Sequence, residues 1–380
     1  MSTPKGVNLL IALECAREAV SPGLPELSYP RHASTSVERA DAVMSHRLSR
    51  LVVNSSQKDI FEKDDWERIT NDALAHTYAG FQLVGHTAKV ASILEEAGVE
   101  FLVMKGVALG ALSQTPASRG AGDVDILVDP ADVPRVHDIF LSNTYRPALA
   151  LPDIRKKTAW SVWSFLDREA TYVGHSTHID LHWRISSQRN LFPSFAELYS
   201  RRDEITVADT ALPTLSLADS LAAACYHSYF DQFQPLRSLV DVVLVVKASS
   251  GISLPTYSPQ LQRLIAGVLH LARDLFPDVI DEEAMTLLAS LPRPPAIIKK
   301  RFDDAVTSPT VAWESSQDAR ALWQKMRAEA PFDSAVDIVP RFVGKRLFHF
   351  SPWGEKNPTT TLRRAFVDRL RVESARKKRP

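Results

Sequence analysis

Two aspartates that are separated by one residue lie inside an apolar stretch of the chain. Asp123 and Asp125 alternate there with Val124, Ile126 and Val128. A β-strand sends successive side chains to opposite faces, so both carboxylates point the same way. Two neighbouring carboxylates on a mostly apolar strand need a counter-charge. Mg²⁺ is the simplest solution because it takes carboxylate oxygens and substrate phosphates together.

A lysine–glycine pair lies upstream, where the apolar segment 99–104 ends. This segment reads as a strand, and a helix is expected to start at Val107. Gly106 would then lie at the turn from strand to helix, where free backbone N–H groups can meet an anion. Arg119 follows in a loop just ahead of the two aspartates. The pattern therefore places cationic groups beside the candidate metal site.

A third carboxylate occurs downstream in a second alternating stretch. Residues 168–173 and 176–185 predict a β-hairpin. In its second arm His178, Asp180 and His182 alternate with apolar residues. Asp180 thus lies on a polar strand face, and a histidine beside it would fit a role in holding the carboxylate by a hydrogen bond.

The same side chains are compatible with two further roles. Inward-pointing charges such as Asp123 and Asp125 also protect the edge strand of a sheet from aggregation. His178 and His182, with His175 as a third ligand, would also suit a zinc site.

The candidate site lies between two helical regions. Apolar residues at helical spacing predict the following helices: 1–22, 37–54, 64–97, 217–230, 236–247, 258–275, 281–290 and 316–329. From Pro213 onward the pattern is helical for the rest of the chain. His227, Arg237 and Asp241 fall on two of these helices, where substrate contacts and a polar network between helices fit the pattern equally well.

The bulk composition is that of an ordinary soluble protein. The 380 residues are 45% apolar, which is enough for a large core and for two or three domains. Lys+Arg and Asp+Glu each number 45, so no net charge favours a nucleic-acid or membrane partner. Cys15 and Cys225 suit neither a disulfide framework nor a metal pair. No apolar stretch is long enough to span a membrane, and a cytoplasmic location is expected. The basic end 363–379 fits either a solvated tail or an RNA contact.

The order of these motifs resembles a known superfamily. A strand, a glycine turn, a helix, a strand with Asp-x-Asp and a later strand with one Asp is the layout of the polymerase-beta-like nucleotidyltransferases. In particular, Lys105-Gly106, Arg119, the strand 123–128 and the segment 178–183 (HIDLHW) resemble an uncharacterised bacterial nucleotidyltransferase family. That family is marked by a KG turn, an R…DIDLLV strand and a DLHW strand. The resemblance covers roughly residues 40–250.

The resemblance implies an α+β fold. Its catalytic core would be a short mixed sheet with flanking helices, preceded by N-terminal helices and followed by a C-terminal helical domain. The expected domains are an N-terminal helical region at 1–97, the catalytic core at 98–212, and a helical domain with a basic tail at 213–380.

The resemblance also implies a two-metal site. Asp123, Asp125 and Asp180 would hold Mg²⁺, with Mn²⁺ as an alternative, and Asp180 would help to deprotonate an acceptor hydroxyl. The substrate would be a nucleoside triphosphate, with ATP expected, and pyrophosphate would leave. Four residues are expected to contact the bound cofactor or nucleotide: Lys105, Gly106, Arg119 and His182.

The sequence departs from the superfamily in two respects and leaves the reaction partly open. The interval between Gly106 and Asp123 is longer than is usual in the superfamily. Val107 stands where a second glycine or serine is usual, so the phosphate-binding turn differs from the common pattern. A kinase that transfers the terminal phosphate, and a non-catalytic nucleotide- or partner-binding module, are the alternative functions. The acceptor is undetermined, with a small molecule, a peptide or protein, and tRNA all compatible.

Overall fold

The computed structural model describes residues 5–24, 34–113, 122–148, 151–248, 252–279 and 282–307. Arg119, the predicted helix 316–329 and the basic end of the chain lie outside these residues. Among the described residues, no helix is both long and apolar enough to cross a membrane.

The described elements alternate between helices and strands in the middle of the chain. The helices are α1 (Lys5–Val20), α2 (Ser36–Ser45), α3 (Ser49–Val53), α4 (Lys63–Glu96), α5 (Lys105–Ser113), α6 (Val133–Ser142), α7 (Lys157–Leu166), α8 (Phe195–Ser200), α9 (Leu217–Phe230), α10 (Arg237–Ala248), α11 (Pro259–Leu275), α12 (Glu282–Ser290) and α13 (Ala296–Thr307). The strands are β1 (Phe101–Met104), β2 (Val124–Val128), β3 (Arg146–Pro147), β4 (Glu169–Gly174), β5 (Thr177–His182), β6 (Asp203–Val207) and β7 (Thr210–Thr214).

The strands form one mixed sheet of seven strands in the order β3-β4-β5-β2-β1-β7-β6. Strand β2 lies inside the sheet, antiparallel to β1 and parallel to β5. The alternative role of Asp123 and Asp125, protection of an edge strand, is therefore wrong. Both neighbours of β2 supply backbone hydrogen bonds, and the strand needs no protection from a further partner.

The two faces of the sheet pack against different helices. Val124 and Ile126 belong to a core cluster that includes buried residues of α4 and α6. Leu127 and Met104 belong to a second cluster, which joins α1 to the C-terminal helices from α9 to α13. Burying one such aliphatic side chain contributes roughly 1.5–3 kcal/mol, so the alternation along β2 fixes which face each residue takes. The α+β fold predicted from the sequence is confirmed.

Two predicted elements differ from the structure. The single helix expected at 37–54 is interrupted after Ser45, and Arg47 there has a left-handed backbone with φ of 57°. The region from Pro213 onward was expected to be helical, but Thr214 ends strand β7, which pairs with β1 in parallel. The β6–β7 hairpin escaped prediction because β6 has a partly exposed, polar sequence that does not alternate strongly.

Candidate active site

The parallel pairing of β2 with β5 brings two of the predicted carboxylates together. Asp125 lies opposite Asp180 in this register. Asp123 immediately precedes β2, on the same face as Asp125 because a single residue, Val124, separates them. Three carboxylates from two segments of the chain therefore meet on one face of the sheet.

Asp125 is buried and has two cationic partners. Lys105 Nζ donates to Asp125 Oδ1 over 2.8 Å, and His182 Nε2 lies 2.9 Å from the same oxygen. Burial alone would raise the pKa of Asp125, but Lys105 and His182 reverse that effect and hold the pKa below its usual value. The Asp125 carboxylate is thus ionised in a buried setting because two neighbours balance its charge.

His182 bridges Asp125 to a carboxylate on the next strand. Its Nδ1 atom lies 3.0 Å from Glu169 Oε2, and Glu169 also lies 3.2 Å from Arg168 Nε. Burial and Lys105 act to lower the pKa of His182, but Glu169 and Asp125 outweigh them and the pKa is raised. The protonated ring is favoured because a carboxylate oxygen faces each of its two nitrogens.

Asp180 and Asp123 form the more exposed half of the site. Thr171 Oγ1 donates to Asp180 Oδ1 over 2.6 Å. Burial, together with the charges of Asp125 and Asp180, raises the pKa of Asp123 to about 6, and a hydrogen bond with Asp180 adds to this effect. Close carboxylates of like charge raise the pKa because ionising one makes ionising the next more costly.

The donor set fits a divalent cation. One ligand atom each from Asp125, Asp180 and His182 can lie within 4.8 Å of the other two. The carboxylate oxygens suit Mg²⁺ or Mn²⁺, whereas an imidazole ligand is more typical of Zn²⁺ and other transition metals. The raised pKa of Asp123 also indicates a cation site, because a bound cation would relieve the repulsion among the three carboxylates. Binding at His182 Nε2 would require that nitrogen to be unprotonated.

The residues expected to contact phosphate have different positions. Lys105 is engaged with Asp125 and lies 3.4 Å from His182 Nε2. The left-handed turn between strand and helix falls on Lys105, with φ of 48°, and the buried Gly106 lies in the first turn of α5. Arg119 lies outside the described residues.

The histidines proposed for zinc do not converge. His175 Nε2 lies 2.9 Å from Thr144 Oγ1, and His178 is exposed. His182 contacts Asp125, so the expectation that it holds Asp180 by a hydrogen bond is corrected, and Thr171 takes that place. The reason is the register, because His182 reaches across to β2 at the point where the two strands are parallel.

A cavity of about 220 Å³ opens beside the carboxylates. Asp123, Asp125 and Lys105 line one wall. The helical wall of the cavity comes from α9 and its C-terminal end, from the start of α10 and from the turn after α2. It includes the following residues: Arg47, Ser220, His227, Asp231, Arg237, Ser238 and Asp241. The helical residues singled out from the sequence, His227, Arg237 and Asp241, therefore face the same space as the carboxylates.

The sequence matches, over residues 38–277, the model of the family described as "Uncharacterised nucleotidyltransferase". This match covers more than half of the chain. The chain belongs to this nucleotidyltransferase family. No curated protein matches the sequence.

Two solved structures are similar to this chain. One is the antibiotic-resistance factor ANT(2'')-Ia, with 13% identity, a TM-score of 0.32, and coverage of 44% of this chain and 85% of that chain. The other is an antigenic nucleotidyltransferase-like protein from Paracoccidioides brasiliensis, with 13% identity, a TM-score of 0.37, and coverage of 57% of this chain and 95% of that chain.

Three polar residues of the nucleotidyltransferase site were missed in the sequence. Arg168, Glu169 and Thr171 lie on or next to β4, and the hairpin register pairs Glu169 with His182 and Thr171 with Asp180. The signal was only partial, because the predicted arms 168–173 and 176–185 place the turn at residues 174–175. In the structure Gly174 pairs with Thr177, so the turn lies one residue later and the pairs differ from those that the predicted arms imply. Arg47 carried no such signal, since it comes from a helical turn far from the strands along the chain.

Proposed function

We propose that this protein transfers a nucleoside monophosphate from a nucleoside triphosphate to a hydroxyl or phosphate acceptor, with release of pyrophosphate. Family membership supports nucleotidyl transfer in general. The observation that carries the proposal for this chain is the register of β2 and β5, in which Asp125 lies opposite Asp180. Asp123 forms a hydrogen bond with Asp180, and Asp123 and Asp125 line the cavity.

Asp123, Asp125 and Asp180 would hold the divalent cation, and His182 would add a nitrogen ligand only after its Nε2 atom has lost its proton. A bound Mg²⁺ or Mn²⁺ would supply Lewis-acid stabilisation of the charge on the reacting phosphate oxygens. Glu169 would fix the orientation of His182, since their atoms already lie 3.0 Å apart. Lys105 would neutralise one carboxylate in the free protein and be available to a phosphate once Asp125 has another partner.

Asp180 is the best placed general base. It is partly exposed, whereas Asp125 is buried and paired with Lys105 and His182. Its carboxylate would take the proton of the acceptor hydroxyl as the acceptor oxygen attacks the α-phosphorus. The bond from the α-phosphorus to the bridging oxygen breaks, and the electron pair leaves with pyrophosphate. Thr171 would orient Asp180 for this transfer through its 2.6 Å hydrogen bond.

The nucleotide is proposed to be ATP, and the acceptor is left open. The helical wall of the cavity combines cationic, anionic and hydroxyl side chains, with Arg47, Asp231 and Ser220 as examples. Such a mixed wall suits an acceptor with several polar groups, and a small molecule, a peptide or protein, or tRNA each offers them.

The test is a product analysis with labelled nucleoside triphosphates. The full chain is incubated with Mg²⁺, α-labelled ATP, GTP, CTP or UTP, and a cell extract, and the products are identified by mass spectrometry. Transfer of the α-label to an acceptor, with pyrophosphate as the second product, is the expected result. The Asp180→Asn variant should give neither product while it keeps the wild-type far-ultraviolet circular dichroism spectrum.

Different products would overturn the proposal. Nucleoside diphosphate together with γ-label on an acceptor would identify a kinase. Nucleotide binding measured by calorimetry, without any product across the four nucleotides, would identify a binding module.

A further inference from the structure

An arginine pair on the helical wall of the cavity has no role in the site described so far. Arg47 comes from the turn between α2 and α3, and Arg237 is the first residue of α10. Both line the cavity that also contains Asp123 and Asp125. Two arginines therefore line the same cavity as the carboxylates.

The two turns that carry these arginines are fixed to each other. The buried His46 accepts a hydrogen bond at Nδ1 from the backbone N–H of Leu236 over 3.0 Å. Burial lowers the pKa of His46 to about 4, so the ring is neutral and its nitrogen can accept. Because His46 precedes Arg47 and Leu236 precedes Arg237, this one bond sets the spacing of the two arginines.

Arg47 itself is held in an unusual backbone conformation. Its φ of 57° lies in the left-handed region, which costs a non-glycine residue about 1 kcal/mol or more. The side chain is exposed, and no described residue forms a hydrogen bond or an ion pair with its guanidinium. Arg47 thus adds to the cavity lining a cation that no described residue neutralises.

Several arginines gather around the start of α10. Arg237 Nε donates to Asp241 Oδ1 over 2.8 Å, and this is the carboxylate that accompanies the arginines. Arg50 lies close enough that burial and the charge of Arg237 together lower the pKa of its guanidinium. Asp231, the other acidic residue of the helical wall, interacts with Arg168 and Lys105 instead. Crowded cations are costly without an anion, and guanidinium groups bind phosphate in a planar, bidentate fashion.

We propose that Arg47 and Arg237 form an anion subsite that binds the terminal phosphates of the nucleoside triphosphate and retains them as the leaving pyrophosphate. This inference rests on the proposed nucleotidyl transfer. That reaction places the α-phosphorus at the carboxylates, so the β- and γ-phosphates must extend from there. Lys105 would meet a phosphate beside Asp125, and Arg47 and Arg237 supply further cations among the described residues that line the same cavity. The subsite would also hold the phosphate of an anionic acceptor, and the experiment separates these two sources.

The test compares three ligands with and without the arginine. Calorimetry in the presence of Mg²⁺ measures the affinities of the wild type and Arg47→Gln for ATP, inorganic tripolyphosphate and AMP. The variant should bind ATP and tripolyphosphate about tenfold more weakly, because one charge-assisted contact is lost, and AMP within twofold of the wild type. Arg263→Gln is the matched control, because Arg263 is exposed on α11 and its removal changes the net charge equally. It should leave all three affinities unchanged.

The outcomes decide the inference independently of turnover. Equal losses for AMP and ATP in Arg47→Gln would assign the subsite to a single phosphate, as on an acceptor, and would overturn the proposal. Affinities for ATP and tripolyphosphate within twofold of the wild type, or no binding of either by the wild type, would also overturn it. If no acceptor is ever modified but tripolyphosphate binding depends on Arg47, the proposed reaction fails while the subsite stands. Arg47→Lys should recover part of the affinity, since it restores the charge without the planar fork.

Discussion

Two buried aspartates of this molecule have opposite surroundings. Asp219 in α9 is fully buried, and both of its oxygens are used: Arg201 binds it through two nitrogens at 2.7 and 2.9 Å, Tyr257 Oη donates over 2.8 Å, and Ser216 Oγ donates over 2.6 Å. Asp125 has two partners, Lys105 and His182, and both contact the same oxygen, Oδ1. No described residue donates to its second oxygen.

The charged groups around the two carboxylates also differ. Asp219 has a single full counter-charge at hand, whereas Asp125 lies among further carboxylates, and the repulsion is visible in the raised pKa of Asp123. An ion pair whose oxygens all accept hydrogen bonds stabilises the packing of the surrounding segments, here those that carry Arg201, Asp219 and Tyr257. An unsaturated acidic group that opens onto a cavity is arranged for a ligand. The difference separates a carboxylate that stabilises the fold from one that is placed for chemistry.

The largest expected effect is on activity at Asp125. Asp125→Asn should lower the rate of nucleotidyl transfer by at least about 10³-fold, or about 4 kcal/mol, because a neutral amide is a poor metal ligand. Steady-state kinetics with the acceptor identified by the product analysis measures it. Asp219→Asn, at matched folded concentration, should keep the wild-type rate, and a large loss of rate in that control would abolish the distinction drawn between the two residues.

The second prediction concerns the stability of the fold, for which Asp219 is expected to matter. Asp219→Asn should lower the free energy of unfolding by about 3 kcal/mol, because it leaves the buried side of Arg201 without its charge partner. Urea denaturation followed by circular dichroism gives this value. A loss below about 1 kcal/mol would show that the network around Asp219 contributes little to the fold.

The third effect tests the residue behind His182. Glu169→Gln should weaken divalent-metal binding about 10- to 100-fold, since the partner that orients His182 loses its charge. Titration with Mn²⁺, followed by electron paramagnetic resonance, measures the free ion directly. The control is Glu204→Gln, an exposed position on β6 with the same charge change. Equal affinities in the two variants would remove Glu169 from the site.

The smallest effect is a gain in stability at Asp123. The pKa of Asp123 is raised from 3.8 to about 6, so the folded state holds its proton more tightly than the unfolded state does. Stability contributed by this group is therefore lost as the pH rises from about 4 to 6. In chelator at pH 7, Asp123→Asn should be more stable than the wild type by about 1–2 kcal/mol, and the difference should disappear at pH 4. Thermal unfolding at both pH values measures it; a variant less stable than the wild type at pH 7 would contradict the account of repulsion.

Much of the fold followed from local sequence patterns. The period of two along 123–128 identifies the faces of Asp123 and Asp125, and it could be read because one face of β2 is apolar throughout. The long amphipathic helix α4 could also be predicted from the sequence, and it ends beside Gly98, whose φ of 64° favours glycine. Strands β6 and β7 could not be predicted from the sequence, because one side of their hairpin is exposed and the alternation of apolar and polar residues is weak there.

The contacts of the site were less accessible than its elements. Sequence reasoning proposed Lys105 for phosphate, but its partner is Asp125, a choice made by side-chain packing that no spacing encodes. The sequence also proposed His182 as a partner of Asp180, whereas the register between parallel strands turns it to Asp125. Arg47 could not be found at all, because tertiary contacts of α2 and α10 bring it to the cavity.

The parallel pairing of β2 with β5 also bears on how the chain folds. His182 and Asp125 are 57 positions apart, and the hydrogen bond from Thr214 to Val103 that joins β7 to β1 spans 111 positions. Contacts of such high sequence separation form only after long loops have closed, which makes them slow and late. The site therefore depends on a long-range pairing within the sheet, and no fragment that ends before β5 contains all three carboxylates.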